Sequence, residues 1–339
     1  MNSTSRLLPV PDFFNPDLVS QIYRVPYQSR AIDAAEWSQH HKLQPAKSDR
    51  SSLGLLLIDV QNTFCLPEFE LFVGGSSGMG AVEDNIRLCQ FIYRHLGMIT
   101  EVIPTLDSHH AVQIFHPVFW QNQAGEPPQP LTTIHLAEVE EGTWQVNPSL
   151  GYGFQGGLEQ LQQHVLHYVR QLSHDGKYPL TIWPYHGMLG GLGHALVSAV
   201  EDAIFFHSVA RQSYAKFQLK GDNPLTENYS VLSPEVLTTV NHQSLAQKNT
   251  ELIDKLLNFE RLLIAGQAKS HCVAWTVDNL LTEILERDPQ LARKIYLLED
   301  CMSPVAIPGV VDFTPEANVA FEKFAVAGMN RLLAQIRMY

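Results

Sequence analysis

Cys272 stands where the apolar run Leu262-Leu263-Ile264-Ala265-Gly266 breaks at a glycine and the chain restarts as a helical pattern through Thr276. In a parallel α/β sheet such a break is where ligand and catalytic sites lie. The unpaired N–H groups and the positive dipole end of a helix favour a thiolate, so a cysteine there has a lowered pKa and is a candidate nucleophile. The plainer reading of Cys272 is a small buried hydrophobe. Asp59 ends a second apolar run, Leu53 to Ile58, and Lys220 ends a third at residues 214–219. Asp107-Ser108-His109 closes a fourth at residues 98–106. On an extended segment residues i and i+2 point the same way, so Asp107 and His109 can face one metal ion while His110 faces elsewhere. Gly74-Gly75-Ser76-Ser77-Gly78 satisfies G-x-S-x-G and raises a serine hydrolase as a competing chemistry. Against it, the preceding Pro67-Glu68-Phe69-Glu70-Leu71-Phe72-Val73 alternates acids with apolar residues, unlike the buried strand that feeds a nucleophile elbow.

The elements that must hold these groups follow from periodicity. Continuous apolar runs suit strands buried on both faces of a parallel sheet, and they fall at residues 53–58, 98–106, 203–206, 214–219, 262–266 and 294–300. Helical spacing falls at residues 32–41, 81–95, 195–202, 247–257 and 316–333. This alternation predicts an α/β, three-layer Rossmann-like fold with a mostly parallel central sheet. Residues 1–50, rich in proline and aromatics, read as an N-terminal arm lying over a surface or a subunit interface; residues 51–339 form the main domain, with an irregular insertion at 121–178. Inside that insertion Leu158, Leu161, Val165, Leu166, Val169 and Leu172 predict an amphipathic helix, whose His164 and His167 are assigned to a solvated face.

With 23 basic against 35 acidic side chains the formal charge is −12, which argues against nucleic acid or an anionic membrane as partner. The apolar runs are too short to span a bilayer, and no charged segment precedes an apolar signal core, so a soluble cytoplasmic protein is expected. The four cysteines are scattered without C-x-x-C spacing, which suggests neither a zinc knuckle nor a disulfide framework.

Asp59, Lys220 and Cys272, in that order and each at a strand end, resemble the triad of the nicotinamidase/isochorismatase-like cysteine hydrolases. Leu-Leu-Ile-Asp59-Val-Gln61 is similar to the family's first strand, Asp107-x-His109 followed by Phe115 to its D-x-H, and Trp183-Pro184-x-His186 to its W-P-x-H. Lys220-Gly221 with Tyr229-Ser230, and Gly266-x-Ala268-x-x-x-Cys272-Val273, resemble the lysine segment and the nucleophile loop. The resemblance implies an amidohydrolase of small amides such as nicotinamide, working through an acyl-thioester and releasing ammonia. N-carbamoyl or ureido compounds are the alternative substrates, and a non-enzymatic binding protein that kept the fold is the alternative class. It further implies a divalent metal held by Asp107, His109 and His186, zinc first with iron or manganese next; N–H groups of Ala268 and Cys272 as oxyanion donors; a cis peptide between Gln267 and Ala268; and a homo-oligomer. Phe64 and Trp183 have flat faces that can stack on a substrate ring, with ordinary core packing the plainer reading of Trp183. Thr63, Ser108 and Gly187 depart from the family's usual residues.

Lys216 and Lys220 would share one face of an extended strand. Lys220 is preferred because Lys216 lies more than about ten ångströms back from the sheet edge, at about 3.3 Å per residue.

Overall fold

The computed structural model describes residues 7–154 and 156–335; Met1 to Arg6 of the expected arm lie outside them. Six strands form the central sheet: β1 (Leu53–Ile58), β2 (Glu101–Asp107), β3 (Gln218–Lys220), β4 (Arg261–Gly266), β5 (Ile295–Leu298) and β6 (Asn330–Leu332). Their order is β6-β5-β4-β1-β2-β3, and every neighbouring pair is parallel. The strand order reverses at β1, between β4 and β2, and the crevice beyond the carboxyl ends of the strands at such a reversal is where open α/β sheets bind ligands.

β1 is apolar throughout because both of its faces are covered. Leu55 and Leu57 enter one core with Leu88, Ile92, Val200 and Phe206, whereas Leu56 and Ile58 enter another with Leu256, Val277, Leu280 and Phe324. These leucines are fully buried, and each such side chain contributes about 1.5–3 kcal/mol from burial. The first core lies under α2 (Gly80–Arg94) and α4 (Ser198–Arg211), the second under α5 (Thr250–Asn258), α6 (Ala274–Arg287) and α7 (Thr314–Val326). The arm contributes α1 (Tyr27–His41), which packs on α4, and Arg30 forms a buried ion pair with Asp202 at 2.7 Å. It covers the first layer of its own chain.

Several elements differ from the sequence reading. The apolar residues 203–206 lie inside α4, where Val200, Ala203, Phe206 and Ala210 share a buried side; a short apolar run cannot by itself distinguish a buried helix from a strand. The last described helix stops at Val326, ahead of Gly328, and is followed by the edge strand β6. The third strand is only Gln218–Lys220, so Lys216 precedes it, exposed and paired with Glu251 at 3.0 Å.

The insertion builds α3 (Gly157–His174), and Leu161, Val165, Tyr168 and Val169 form a separate core with Phe119, Trp120, Ile182 and Trp183. The face carrying His164 and His167 is docked, not solvated. His164 Nε2 lies 2.8 Å from the Leu225 carbonyl, His167 Nε2 lies 2.9 Å from the Thr238 carbonyl, and the Tyr168 hydroxyl accepts the Glu227 N–H at 3.2 Å. Partners this distant in sequence leave no local periodic trace. Among the described residues no helix is long and apolar enough to cross a membrane.

Candidate active site

The register of the sheet brings the reactive groups to one edge. Ile58 is level with Gly266 across β1 and β4, and Asp107 is level with Lys220 across β2 and β3. Gly266, at φ +120°, is the residue that lets β4 turn off here, since a Cβ on it would sit 2.0 Å from the Ile58 carbonyl oxygen. The following Gln267–Ala268 peptide bond is cis. Gln267 is fixed on both ends: its amide donates to Asp84 at 2.8 Å, and its carbonyl oxygen accepts the Ser303 N–H at 3.2 Å. Ala268 lines the cavity, and its N–H has no acceptor among the described residues.

Lys220 is the hub. Its Nζ lies 3.1 Å from Asp59 Oδ2, 2.8 Å from Asp107 Oδ1, 3.7 Å from Cys272 Sγ and 2.8 Å from the Asn228 carbonyl oxygen. Burial opposes its charge, but Asp107 and Asp59 on either side hold it protonated, well above the usual lysine range. Asp59 is fully buried; burial raises its pKa and the Lys220 ammonium only partly offsets this, leaving a stronger base than an ordinary carboxylate. The Thr105 hydroxyl donates to its Oδ1.

Cys272 occupies a π-helical turn, Lys269–Val273, that leads directly into α6. The expectation of a lowered thiol pKa is corrected here. Burial pushes the thiol well above its usual value, Lys220 pulls it down, and Asp59, which also hydrogen-bonds the thiol, pushes it up again. The helix start is real, but the group is desolvated behind it, so the thiol rests protonated.

Asp107, His109 and His186 offer ligand atoms that all lie within 4.8 Å of one another. Each imidazole has its Nδ1 beside a backbone carbonyl, Gly221 at 3.0 Å for His109 and Pro184 at 2.8 Å for His186. That fixes the Nδ1–H tautomer and leaves each Nε2 with a lone pair turned toward Asp107 Oδ2, at 2.9 Å and 3.6 Å. His109 Nε2 is buried and has no partner with hydrogen-bond geometry. Two lone pairs and a carboxylate converging in a buried space fit a cation. Burial favours the neutral His186, whereas Asp107 raises the pKa of His109 against burial and is itself, against its own burial, held well below the usual carboxylate range by His109 and Lys220, so a proton and a cation compete for His109 Nε2. Gly221 adopts φ +88° and a Cβ there would lie 2.6 Å from His109 Cε1, so the K-G pair is a packing requirement of this cluster.

A cavity of about 80 Å³ opens onto both groups, lined by Phe64, Trp183, Tyr229, Ala268, His271 and Cys272 among others. At about 10–15 Å³ of such volume per water, it holds the equivalent of several waters or one small flat molecule. Phe64 and Trp183 are walls of the cavity, and the indole N–H donates to the Tyr229 hydroxyl at 3.0 Å. Sequence reasoning missed Glu227, which lines the same cavity and whose carboxyl burial pushes up to about 7. It also missed His271. Their only sequence signal was adjacency, to Tyr229-Ser230 and to Cys272. Ser76 lies exposed in a turn with no strand among residues 67–73, so the serine elbow has no structural basis.

No family model and no curated protein matches the sequence. Solved structures do. A nicotinamidase/pyrazinamidase from Acinetobacter baumanii superposes with a TM-score of 0.50 at 17% identity, over 85% of this chain and 98% of that one. The yeast nicotinamidase gives 0.50 at 17% identity over 83% and 99%, and the same yeast enzyme bound to the inhibitor nicotinaldehyde gives 0.50 at 16% over 83% and 99%. The fold is that of the nicotinamidases. With this identity the likeness concerns the fold, the isochorismatase-like three-layer arrangement expected from the sequence. The nicotinamidase fold covers nearly the whole of each relative, while this chain carries additional residues.

Proposed function

We propose that the protein is a metal-assisted cysteine amidohydrolase of small, flat, neutral amides, nicotinamide being the reference substrate. The observation that carries this reading is the contact of Cys272, which lines an aromatic-walled cavity, with Lys220, which in turn pairs with the buried Asp59 behind it. When an amide enters, Asp59 takes the thiol proton, and Lys220 stabilises the sulfur anion as it attacks the carbonyl carbon. The oxygen that becomes negative is held by the N–H groups of Ala268 and Cys272; losing one such donor typically costs about 10²–10³ in rate. Collapse expels the amine, which leaves as ammonia with the proton returned by Asp59. Asp59 then accepts a proton from water as the water attacks the thioester, and the acid departs with the thiol restored.

Asp107, His109 and His186 would hold the divalent cation, zinc by the nature of the donors with iron or manganese as alternatives. Such an ion supplies Lewis acidity and a fixed point for orienting a substrate heteroatom. Protein purified without chelator is expected to contain close to one equivalent of divalent metal by elemental analysis, and much less in His186→Ala. Equal metal content in the two proteins would remove the cation from this reading.

The deciding experiment is ammonia release from a panel of nicotinamide, pyrazinamide, N-carbamoyl compounds and ureido acids. Turnover of the aromatic amides supports the proposal. Exclusive turnover of carbamoyl compounds would move it to another substrate class, and binding without turnover would make the chain a binding protein.

A further inference from the structure

His271 directly precedes the nucleophile, yet the chemistry above does not use it. The residue is 4% exposed and lines the cavity, and its ring is enclosed by Phe313, Tyr178, Tyr229 and Trp183 at centroid distances of 4.6, 5.2, 5.5 and 5.7 Å. Its Nδ1 lies 2.8 Å from Ser270 Oγ. That oxygen already accepts the Val305 N–H at 3.0 Å, and the hydroxyl proton has no other acceptor among the described residues. Donation to Nδ1 is the arrangement that gives the hydroxyl proton an acceptor, and it places the proton of the neutral ring on Nε2. Burial lowers the His271 pKa to about 3, which keeps the ring neutral at working pH. Nε2 has no partner among the described residues. A donor with no acceptor among the described residues, on a residue that lines the cavity together with aromatic rings and the carboxylates of Asp107 and Glu227, is open to a ligand atom.

We propose that the Nε2–H of His271 is a specificity-determining donor, which selects amides carrying a hydrogen-bond acceptor in addition to the scissile carbonyl. A ring nitrogen or a second carbonyl oxygen meets that requirement, and an all-carbon ring leaves the donor desolvated and unpaired. Because the donor is neutral, it adds no ionic attraction for the carboxylate product, whereas an imidazolium would retain it. The inference rests on the amidohydrolase reading and names the substrate class of that same cavity.

The test compares pyrazinamide with benzamide, nearly the same in shape, in wild type, His271→Phe and His271→Gln. The ratio of the two kcat/KM values is read within each protein, so it is insensitive to the fraction of folded enzyme, and the three proteins are compared at equal measured metal content because a bound cation also orients a substrate heteroatom. An unpaired buried donor costs enough to change such a ratio about 10- to 100-fold. The preference for pyrazinamide is expected to fall by that factor in His271→Phe and to recover most of it in His271→Gln, whose side-chain amide restores a donor. An unchanged ratio in His271→Phe would overturn the assignment. If the wild type hydrolyses neither amide, the amidohydrolase reading fails on its own; the same ratio is then taken from dissociation constants by tryptophan fluorescence, and equal ratios in wild type and His271→Phe overturn the donor role.

Discussion

Cys272→Ala is expected to abolish hydrolysis of every amide that the wild-type protein turns over, with Ser76→Ala retaining nearly all activity. Removing the nucleophile of a covalent hydrolase lowers kcat by about 10⁶, because Asp59 and Lys220 act through the sulfur and have no other group to activate, and an oxyanion donor alone forms no acyl-enzyme. The change should be benign for the fold. Cys272 Sγ is a small atom at the cavity floor, 3.7 Å from Lys220, and its loss leaves the Lys220 contacts to Asp59 and Asp107 in place. Substrate binding should therefore survive, and titration of the variant with substrate gives an affinity free of turnover. Ser76 sits exposed in a turn with no strand behind it. A Cys272→Ala protein that still releases ammonia at the wild-type rate would overturn the mechanism.

Lys220→Met is expected to damage stability and the thiol together. Asp59 and Asp107 are both buried, and Lys220 is the ammonium that contacts both. Stripping the partner from a buried ion pair costs about 3–5 kcal/mol, since the remaining charge is uncompensated. Against a typical total of about 5–15 kcal/mol this is a large fraction, visible as a lowered denaturant midpoint. Lys220 also pulls the Cys272 pKa down against burial, so its removal moves the pH profile of Cys272 alkylation to higher pH. Lys216→Met should change neither profile nor midpoint, because Lys216 is exposed and its pairing with Glu251 lies on the surface. A shifted alkylation profile in Lys216→Met with an unshifted one in Lys220→Met would transfer the role to Lys216.

The contrast between these two lysines shows what the sequence makes legible. β1, β2 and β4 are buried on both faces, so their apolar runs end sharply, and Asp59, Asp107 and Gly266 mark those ends. The position of Lys220 followed from the same logic, although its strand is only three residues long. Illegible features depended on partners far along the chain. Residues 203–206 read as a strand in the sequence because a helix covered on several sides loses its polar stripe. The last strand, Asn330–Leu332, has burial too partial to print an apolar pattern. The resting protonation of Cys272 reflects desolvation by the whole cavity, which its neighbours in sequence do not encode. Glu227 and His271 escaped notice because a carboxylate or imidazole acquires meaning from what encloses it.

The docked α3 helix gives the cavity a long-range dependence. The segment bearing Glu227 and Tyr229 is held at its back by His164, His167 and Tyr168, and Trp183 belongs to the same apolar cluster as Leu161 and Val165. One wall of the cavity is thus assembled by residues that do not line it. Deleting residues 157–174 would not leave the cavity intact, since that helix is scaffolding for the recess itself. Inherited or engineered changes within 157–174 should accordingly surface as catalytic phenotypes at a distance.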